Sequence, residues 1–178
     1  MKTRAKMLLI FFVVTLSAMG KTTYAKAFSK EVTISNFQKL TADGNMHLVL
    51  INDGDGRMRI EGTENAIATV VTEQNNGELS ITRNESTNIS EPVTVYIPVS
   101  NMNTLIISGD ASVECETTVH AKVFSLLHKG TGTVKLKSDA SVIQTMTTKS
   151  GRIAVEGEYT NTVSRMDASN HLIVAYTK

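Results

Sequence analysis

Apolar and polar residues alternate with a period of two along most of the chain after Glu31, which is typical of β-strands with one buried face. The alternation is clearest over residues 93–97, and Pro98 then ends the predicted strand. Turn sequences rich in Gly, Asn and Asp separate the strands, as at residues 75–77. We therefore predict an all-β fold.

Two segments depart from this alternation. Residues 64–72 place apolar side chains at helical spacing, but the segment is short and rich in β-branched residues, so we expect a strand or a single turn. Residues 83–91 are polar and are predicted to form an exposed loop. That loop would carry Asn84 and Asn88, each of which begins an Asn-X-Ser glycosylation pattern.

A second, longer period follows from Leu105, where an apolar strand, a corner of small or charged residues and a further apolar residue recur. The four copies end at Val113, Val134, Ile153 and Leu172, at steps of 21, 19 and 19 residues. A near-constant step of about 20 residues indicates stacked repeats, because each unit is too small to bury its own apolar face. We predict a flattened β-solenoid whose interior holds ladders of aliphatic side chains.

The repeat is looser toward the N-terminus, where residues 42–46 resemble residues 108–113 and could start the same register. An antiparallel sandwich is the alternative fold. A sandwich would be expected to show hairpin turns about every 8 to 12 residues rather than a repeat of about 20 residues.

The first 25 residues have the pattern of a secretory signal peptide. Basic residues precede a run of ten residues, 7–16, that is apolar except for Thr15, and small residues follow. Cleavage is expected after Ala25 or, alternatively, near Gly20. Such a run is too short to cross a bilayer. The sequence therefore predicts a signal peptide at 1–25, one exported domain at 26–178, and no membrane span in the mature chain.

Charge excludes one class of partner. Cleavage after Ala25 would remove four of the 18 basic residues and none of the 17 acidic ones, leaving a net charge of −3. A slightly acidic chain without a basic cluster gives nucleic acid no electrostatic footprint, so no nucleic-acid partner is predicted.

No group of residues forms a recognisable catalytic, cofactor-binding or metal-binding motif. The four histidines are scattered and are expected to be exposed: His47, His120, His128 and His171. Cys115, the single cysteine, is expected to be a small buried hydrophobe, with a reactive thiol or an intermolecular bridge as the alternative.

Two glycine-containing segments invite comparison with ligand loops. Residues 53–56 read Asp-Gly-Asp-Gly, but the calcium-loop pattern would then put Ile51 and Gly62 at ligand positions, so a plain acidic turn is predicted. The Gly-Thr-Gly of residues 130–132 lacks the helix that a phosphate cradle requires. We predict no catalytic residues, no cofactor and no metal.

With these features, the chain resembles the auto-transporter adhesin family with a head GIN domain, found in bacterial envelope proteins. The matching features are a Phe-containing strand and turn, a Gly-Asp turn with an alternating strand, a strand ending in proline, and recurring Ser-Gly-Asp-like corners. They lie at residues 34–46, 53–62, 93–98, 108–110, 129–132, 150–151 and, in divergent form, 167–170. The resemblance implies a single-stranded right-handed parallel β-helix with coils of about 20 residues and brings no catalytic residues. No translocator barrel pattern follows Lys178, so the chain is expected to be at most the head of such a protein.

The predicted function is non-enzymatic binding or scaffolding through a solenoid face, in the periplasm, on the outer-membrane surface or outside the cell. The partner would be an envelope or extracellular protein or glycan; the oligomeric state stays open. Exposed rows are expected from outward strand residues, namely Lys135, Lys137, Thr147, Arg152 and Glu156. The alternative is a polysaccharide-active lyase or hydrolase, which the lack of Trp and of an acidic cluster disfavours.

Overall fold

The computed structural model describes residues 28–52, 55–84 and 91–157, together with the backbone of residues 161–166. This part of the chain is all-β apart from one short helix, as the alternation predicts. Its elements are β1 (Phe28–Thr33), β2 (Lys39–Asp43), β3 (His47–Ile51), β4 (Arg57–Gly62), α1 (Glu64–Ala68), β5 (Val70–Asn75), β6 (Glu78–Arg83), β7 (Val93–Pro98), β8 (Thr104–Gly109), β9 (Ser112–Cys115), β10 (Val123–Gly130), β11 (Thr133–Lys137), β12 (Val142–Thr147), β13 (Arg152–Glu156) and β14 (Asn161–Met166).

The strands form two seven-stranded mixed sheets. Sheet A has the order β1-β4-β7-β3-β9-β11-β13, and sheet B has the order β14-β12-β10-β8-β2-β6-β5. Neighbouring strands are parallel except where β4 pairs with β1 and β7, and where β5 pairs with β6. The antiparallel pairs lie at the N-terminal end of each sheet, so neither a fully parallel stack nor an antiparallel sandwich describes the whole.

The C-terminal half has the predicted repeat register. Val134 lies between Val113 and Ile153 in sheet A, and the same steps of 21 and 19 residues place Leu126 between Leu105 and Thr145 in sheet B. Each repeat thus contributes one strand to each sheet. The fourth marker, Leu172, lies outside the described residues.

The looser N-terminal copy does join the stack, one residue away from the alignment that the sequence suggests. Ala42 pairs with Ile107 and Leu48 with Val113, so Gly44 lies opposite Gly109. Both glycines have positive φ, +104° and +67°, a conformation that glycine adopts without strain. The copy begins at β2 but is not the end of the stack, because β6 and β7 lie beyond it.

The core is one continuous apolar cluster between the sheets. In sheet A, Leu48, Val113, Val134 and Ile153 are all at most 2% exposed and follow one another across the strands. These β-branched and leucine side chains repeat at each rung, so every rung covers the apolar face of the next. The predicted aliphatic ladder is therefore present in sheet A.

The segment at residues 64–72 is partly helical. Helix α1 begins after Thr63, whose hydroxyl accepts a hydrogen bond from the Ala66 amide, and Ala66 and Ile67 face the core. A polar N-cap and two buried apolar residues are enough to stabilise one turn in place. The strand β5 then starts at Val70.

The polar pattern of residues 83–91 predicted that Arg83 lies in an exposed loop, but this prediction is wrong for Arg83. It ends β6, is 6% exposed, and donates hydrogen bonds to the Thr69 hydroxyl at 3.2 Å and to the carbonyl oxygens of Asn45 and Glu91, each at 2.6 Å. A buried guanidinium needs such partners. Arg83 therefore ties β6 to the β2–β3 corner and to the end of α1. Residues 85–90, including Asn88, lie outside the described residues; Asn84 is exposed.

Candidate functional site

The two sheets present outer faces of different chemistry. On sheet A, Lys135, Lys137 and Glu156 are exposed, as predicted, and line one shallow depression of about 280 Å³. Arg152 is exposed on β13, the strand that also carries Glu156. The structure thus brings together four of the five residues expected to form exposed rows.

For Thr147, the fifth residue, the prediction of an outward side chain is wrong. Thr147 is fully buried, lies in sheet B, and donates a hydrogen bond to the Lys149 carbonyl oxygen at 3.2 Å. Its inward direction follows from pairing with His128, which also faces inward. Because side chains alternate along a strand, Met146 then points outward.

A polar network crosses the outer face of sheet A. His47 Nδ1 and Ser112 Oγ share a hydrogen bond of 3.0 Å, His47 Nε2 lies 3.8 Å from Glu114 Oε2, and Lys135 Nζ lies 3.9 Å from Glu114 Oε1. Serine, histidine and a carboxylate are the components of a nucleophilic site, but here they stand on an open face, with His47 and Glu114 side chains 40% and 51% exposed. We interpret the network as cross-strand pairing.

The prediction that His128 is exposed is also wrong. His128 is fully buried on the inner side of β10, and neither ring nitrogen has a hydrogen-bond partner among the described residues. Burial lowers the pKa of its imidazole. His47 and His120 are partly and largely exposed, as predicted, and His120 Nδ1 lies 2.6 Å from Asp139 Oδ2; His171 lies outside the described residues.

Glycines make room for the buried ring. A side chain at Gly151 would overlap the His128 imidazole and approach the Gly130 carbonyl oxygen to 2.7 Å. The small residues of the predicted corners therefore serve packing at this position. Nothing in the sequence marks His128 as inward except its place in the repeat, opposite Ile107.

Cys115 is buried in β9, as expected, where its thiol donates to the Thr117 carbonyl oxygen at 2.8 Å. Burial raises the pKa of the thiol, which keeps it protonated and a poor nucleophile.

In the part of the chain that the structure describes, no three potential ligands among His, Cys, Asp and Glu lie close enough to hold a metal ion. Asp55 is exposed there, and Asp53 lies outside the described residues.

The outer face of sheet B carries a feature that the sequence analysis missed. A groove of about 450 Å³ crosses β8, β10 and β12, and every residue that lines it is uncharged. Ile106, Leu127 and Met146 form one row across these strands. A second row runs beside it on the same face, two residues earlier in each strand, and consists of Thr104, Ser125 and Gln144.

The signal for this groove is present in the sequence as adjacent apolar residues. Leu105-Ile106 and Leu126-Leu127 place apolar side chains on both faces of a strand, whereas a strand with one solvated face alternates. Met146 is 43% exposed, as is Val123 at the start of β10. Among the described residues, no helix is both long and apolar enough to span a membrane.

In the described part of the chain, strands of successive repeats pair in parallel and in register within each of the two sheets. The chain belongs to the family described as "Putative auto-transporter adhesin, head GIN domain", which matches residues 36–171. The resemblance drawn from the strand and corner motifs is thus confirmed.

Solved structures share this fold. A protein described as a putative lipid binding protein from Parabacteroides distasonis superposes with a TM-score of 0.72 at 16% identity, over 84% of this chain and 66% of that one, so the chain spans about two thirds of it. A putative adhesin from the same species gives a TM-score of 0.52 at 17% identity, with 84% and 76% covered. A putative cell adhesion protein from Clostridium sporogenes gives 0.51 at 11% identity, with 85% and 99% covered. At these identities the likeness concerns the fold alone. No curated protein matches the sequence.

Proposed function

We propose that this protein is an exported, non-enzymatic binding domain of the bacterial cell envelope that attaches to its partner through the outer face of a sheet. The observation that carries the proposal is the uncharged groove on sheet B, where Ile106, Leu127 and Met146 stand on the solvent side of their strands. Clustered apolar side chains on a surface typically mark an interaction site.

The proposal includes the finer form of the fold. We infer that the parallel strands β8 to β14 wind as a single-stranded right-handed β-helix, with one turn for each repeat. The parallel pairing and the steps of 21 and 19 residues support this, as does the strong right-handed preference of parallel crossover connections. Such a stack keeps the rows on its outer faces in line, which suits an extended partner.

Export is supported by the basic and apolar start of the sequence and by the adhesin description of the family. The expected mature chain begins near Lys26, and the expected location is the periplasm, the outer-membrane surface or the extracellular space. The polysaccharide-active alternative requires a carboxylate pair or a bound cation beside the substrate. The groove on sheet B is lined by neither acid nor base.

The test is adhesion of the purified, labelled protein to intact cells and isolated envelopes, with Leu127→Asp compared with Lys135→Asp. Both changes put an aspartate on an outer face of the same repeat, in sheet B and sheet A respectively. We expect Leu127→Asp to abolish adhesion and Lys135→Asp to retain it. Absence of adhesion by the unaltered protein would overturn the proposal.

A further inference from the structure

We infer that the groove on sheet B binds a neutral glycan chain, lying across β8, β10 and β12 in the direction in which the strands stack. The inference rests on the proposed binding function and names the class of ligand for the same surface. It is carried by three features of the groove: its lack of charge, its two parallel rows, and its limited extent.

Lack of charge selects an uncharged ligand. The eight residues lining the groove carry no ionisable side chain, although 20% of the whole chain is charged. The nearest charged side chains lie at the rim: Lys39 beside Thr104, which is paired with Glu78 at 3.1 Å, and Lys129, two residues after Leu127. A phosphate, a carboxylate or an ammonium group centred on the eight residues would therefore lose hydration without an ionic partner among them, which is unfavourable. Acidic polysaccharides, lipid headgroups and charged peptides are therefore poor fits.

The two rows match the two kinds of surface on a sugar ring. Thr104, Ser125 and Gln144 offer neutral hydrogen-bond donors and acceptors, suited to hydroxyl groups, and Ser125 Oγ already lies 3.4 Å from Gln144 Oε1. The row of Ile106, Leu127 and Met146 offers aliphatic contact for the C–H faces of the rings. Few polar groups placed beside apolar surface are typical of small-ligand sites.

The rows also repeat along one direction. Successive strands lie about 4.8 Å apart, so equivalent side chains recur at that interval, a distance comparable with one sugar ring. Each ring of a linear polymer can therefore contact one polar and one apolar side chain on each strand. An extended peptide would instead add to the edge of a sheet, where backbone groups are free to pair.

Two other occupants fit less well. An acyl chain would cover the hydroxyl and amide row and leave those groups without hydrogen bonds. A second copy of the chain would need about 800 Å² on each partner. The groove, three strands wide and six residues long, measures only about 15 Å by 20 Å. A second copy would therefore also have to cover the neighbouring strands β2 and β6, where Lys39 and Glu78 form an ion pair.

The polarity of β12 supports a surface that is kept for a ligand. Thr145 and Thr147 face the interior, 3% and 0% exposed, while Met146 between them is 43% exposed. Met146 is therefore left on the solvent side, although burial of apolar side chains is the main favourable term in folding. An exposed methionine in line with Ile106 and Leu127 is explained when a ligand covers it.

The experiment is a titration of the purified full chain, labelled at the methionine methyl groups, with neutral hexasaccharides of glucose, mannose and N-acetylglucosamine. At least one is expected to shift the Met146 methyl signal at millimolar concentration, while the signal of Met102, which is 1% exposed, stays in place. A hexasaccharide of galacturonic acid and phosphatidylcholine vesicles serve as the charged and lipid probes. A Met146 shift with either of these, and with none of the neutral sugars, would overturn the inference.

A matched pair of variants locates the site. Ser125→Asp puts a charge into the middle of the groove, and Thr133→Asp puts one on the outer face of sheet A in the same repeat; both positions are half-buried. We expect Ser125→Asp to weaken sugar binding at least tenfold and Thr133→Asp to leave it unchanged; the reverse result would place the sugar on sheet A and refute this site. If no hexasaccharide binds but the protein still adheres to envelopes through Leu127, the glycan inference fails and the proposed function stands.

Discussion

The two sheets are built from the same repeats, yet they distribute polarity differently. Sheet A is aliphatic inside, through Val113, Val134 and Ile153, and charged outside, where Lys135 and Lys137 stand. Sheet B is aliphatic inside near β2 and β8. In β10 and β12 its inner face also holds the polar residues His128, Thr145 and Thr147, beside the apolar residues Phe124, Leu126 and Ile143. Its outer face carries Ile106, Leu127 and Met146.

This difference suits the two sheets to different roles, stabilisation of the fold in sheet A and the proposed binding in sheet B. Sheet A has the polarity that stabilises a strand with one solvated face. In its C-terminal strands, sheet B combines buried polar groups on its inner face with an apolar row on its outer face. We therefore expect interior residues of sheet A to govern stability, and we propose that outer residues of sheet B govern binding. Four predictions, given in order of decreasing effect on stability, test this division.

Val134→Asp should have the largest effect. Val134 is fully buried between Val113 and Ile153, so the aspartate would place an unpaired charge inside the aliphatic ladder. We expect the free energy of unfolding to fall by about 4 kcal/mol or more. Lys135→Asp, the exposed neighbour, should change it by about 0.5 kcal/mol or less. Urea denaturation measures both, and equal losses would refute the inward assignment of sheet A.

Gly151→Ala should come next, because the added methyl group would overlap the buried His128 ring. Overpacking of this kind lowers the free energy of unfolding by about 1 to 3 kcal/mol. Ser150→Ala, at the exposed neighbouring position, is the matched control and should have little effect. Thermal unfolding of the two variants decides it; a neutral Gly151→Ala would mean that the ring does not occupy this corner.

The pH dependence of stability should report on His128. Its pKa in the folded state is lowered by burial from the ordinary value of 6.5. Below about pH 6.5 the unfolded state therefore takes up a proton that the folded state resists, so stability is full above that pH and is lost as the pH falls through the folded-state pKa. The described side chains stacked on the ring, Ile107 and Thr147, are not ionisable.

Replacing this histidine should flatten that dependence. We expect the melting temperature of His128→Leu to fall less between about pH 7.5 and pH 5 than that of the unaltered protein. His120→Gln is the control, since the His120 side chain is 70% exposed beside Asp139. A parallel fall in all three proteins would show that His128 does not control the acid sensitivity of sheet B.

Leu127→Ser should have the smallest effect on stability. Leu127 is half-buried on the outer face of sheet B, so its removal should lower the free energy of unfolding by about 1 kcal/mol or less. Leu126→Ser, one position earlier and 2% exposed, should cost about 2 to 5 kcal/mol. Urea denaturation compares the adjacent pair. Similar losses at both positions would mean that the outer face of sheet B contributes to folding as the interior does.

Much of the fold could be predicted from the sequence. The alternation identified the strands, and the spacing of Val113, Val134 and Ile153 gave their parallel register, because a repeat that buries its face on the next copy must conserve that spacing. Less of the candidate site could be predicted. The charged residues on sheet A were found because charge indicates exposure, whereas the groove on sheet B lacks such a marker.

The sequence by itself determined the all-β class, the repeat step and the inward residues of β9, β11 and β13. In those strands one set of alternate residues is apolar and the other is polar, apart from Ala154. The tertiary structure decided the direction of β12 and the burial of His128. In β12 neither alternate set is clearly apolar, and a shift of one residue exchanges the faces. Pairing with β10 and β14 therefore sets which side chains face inward, and the sequence of β12 alone carries no such information.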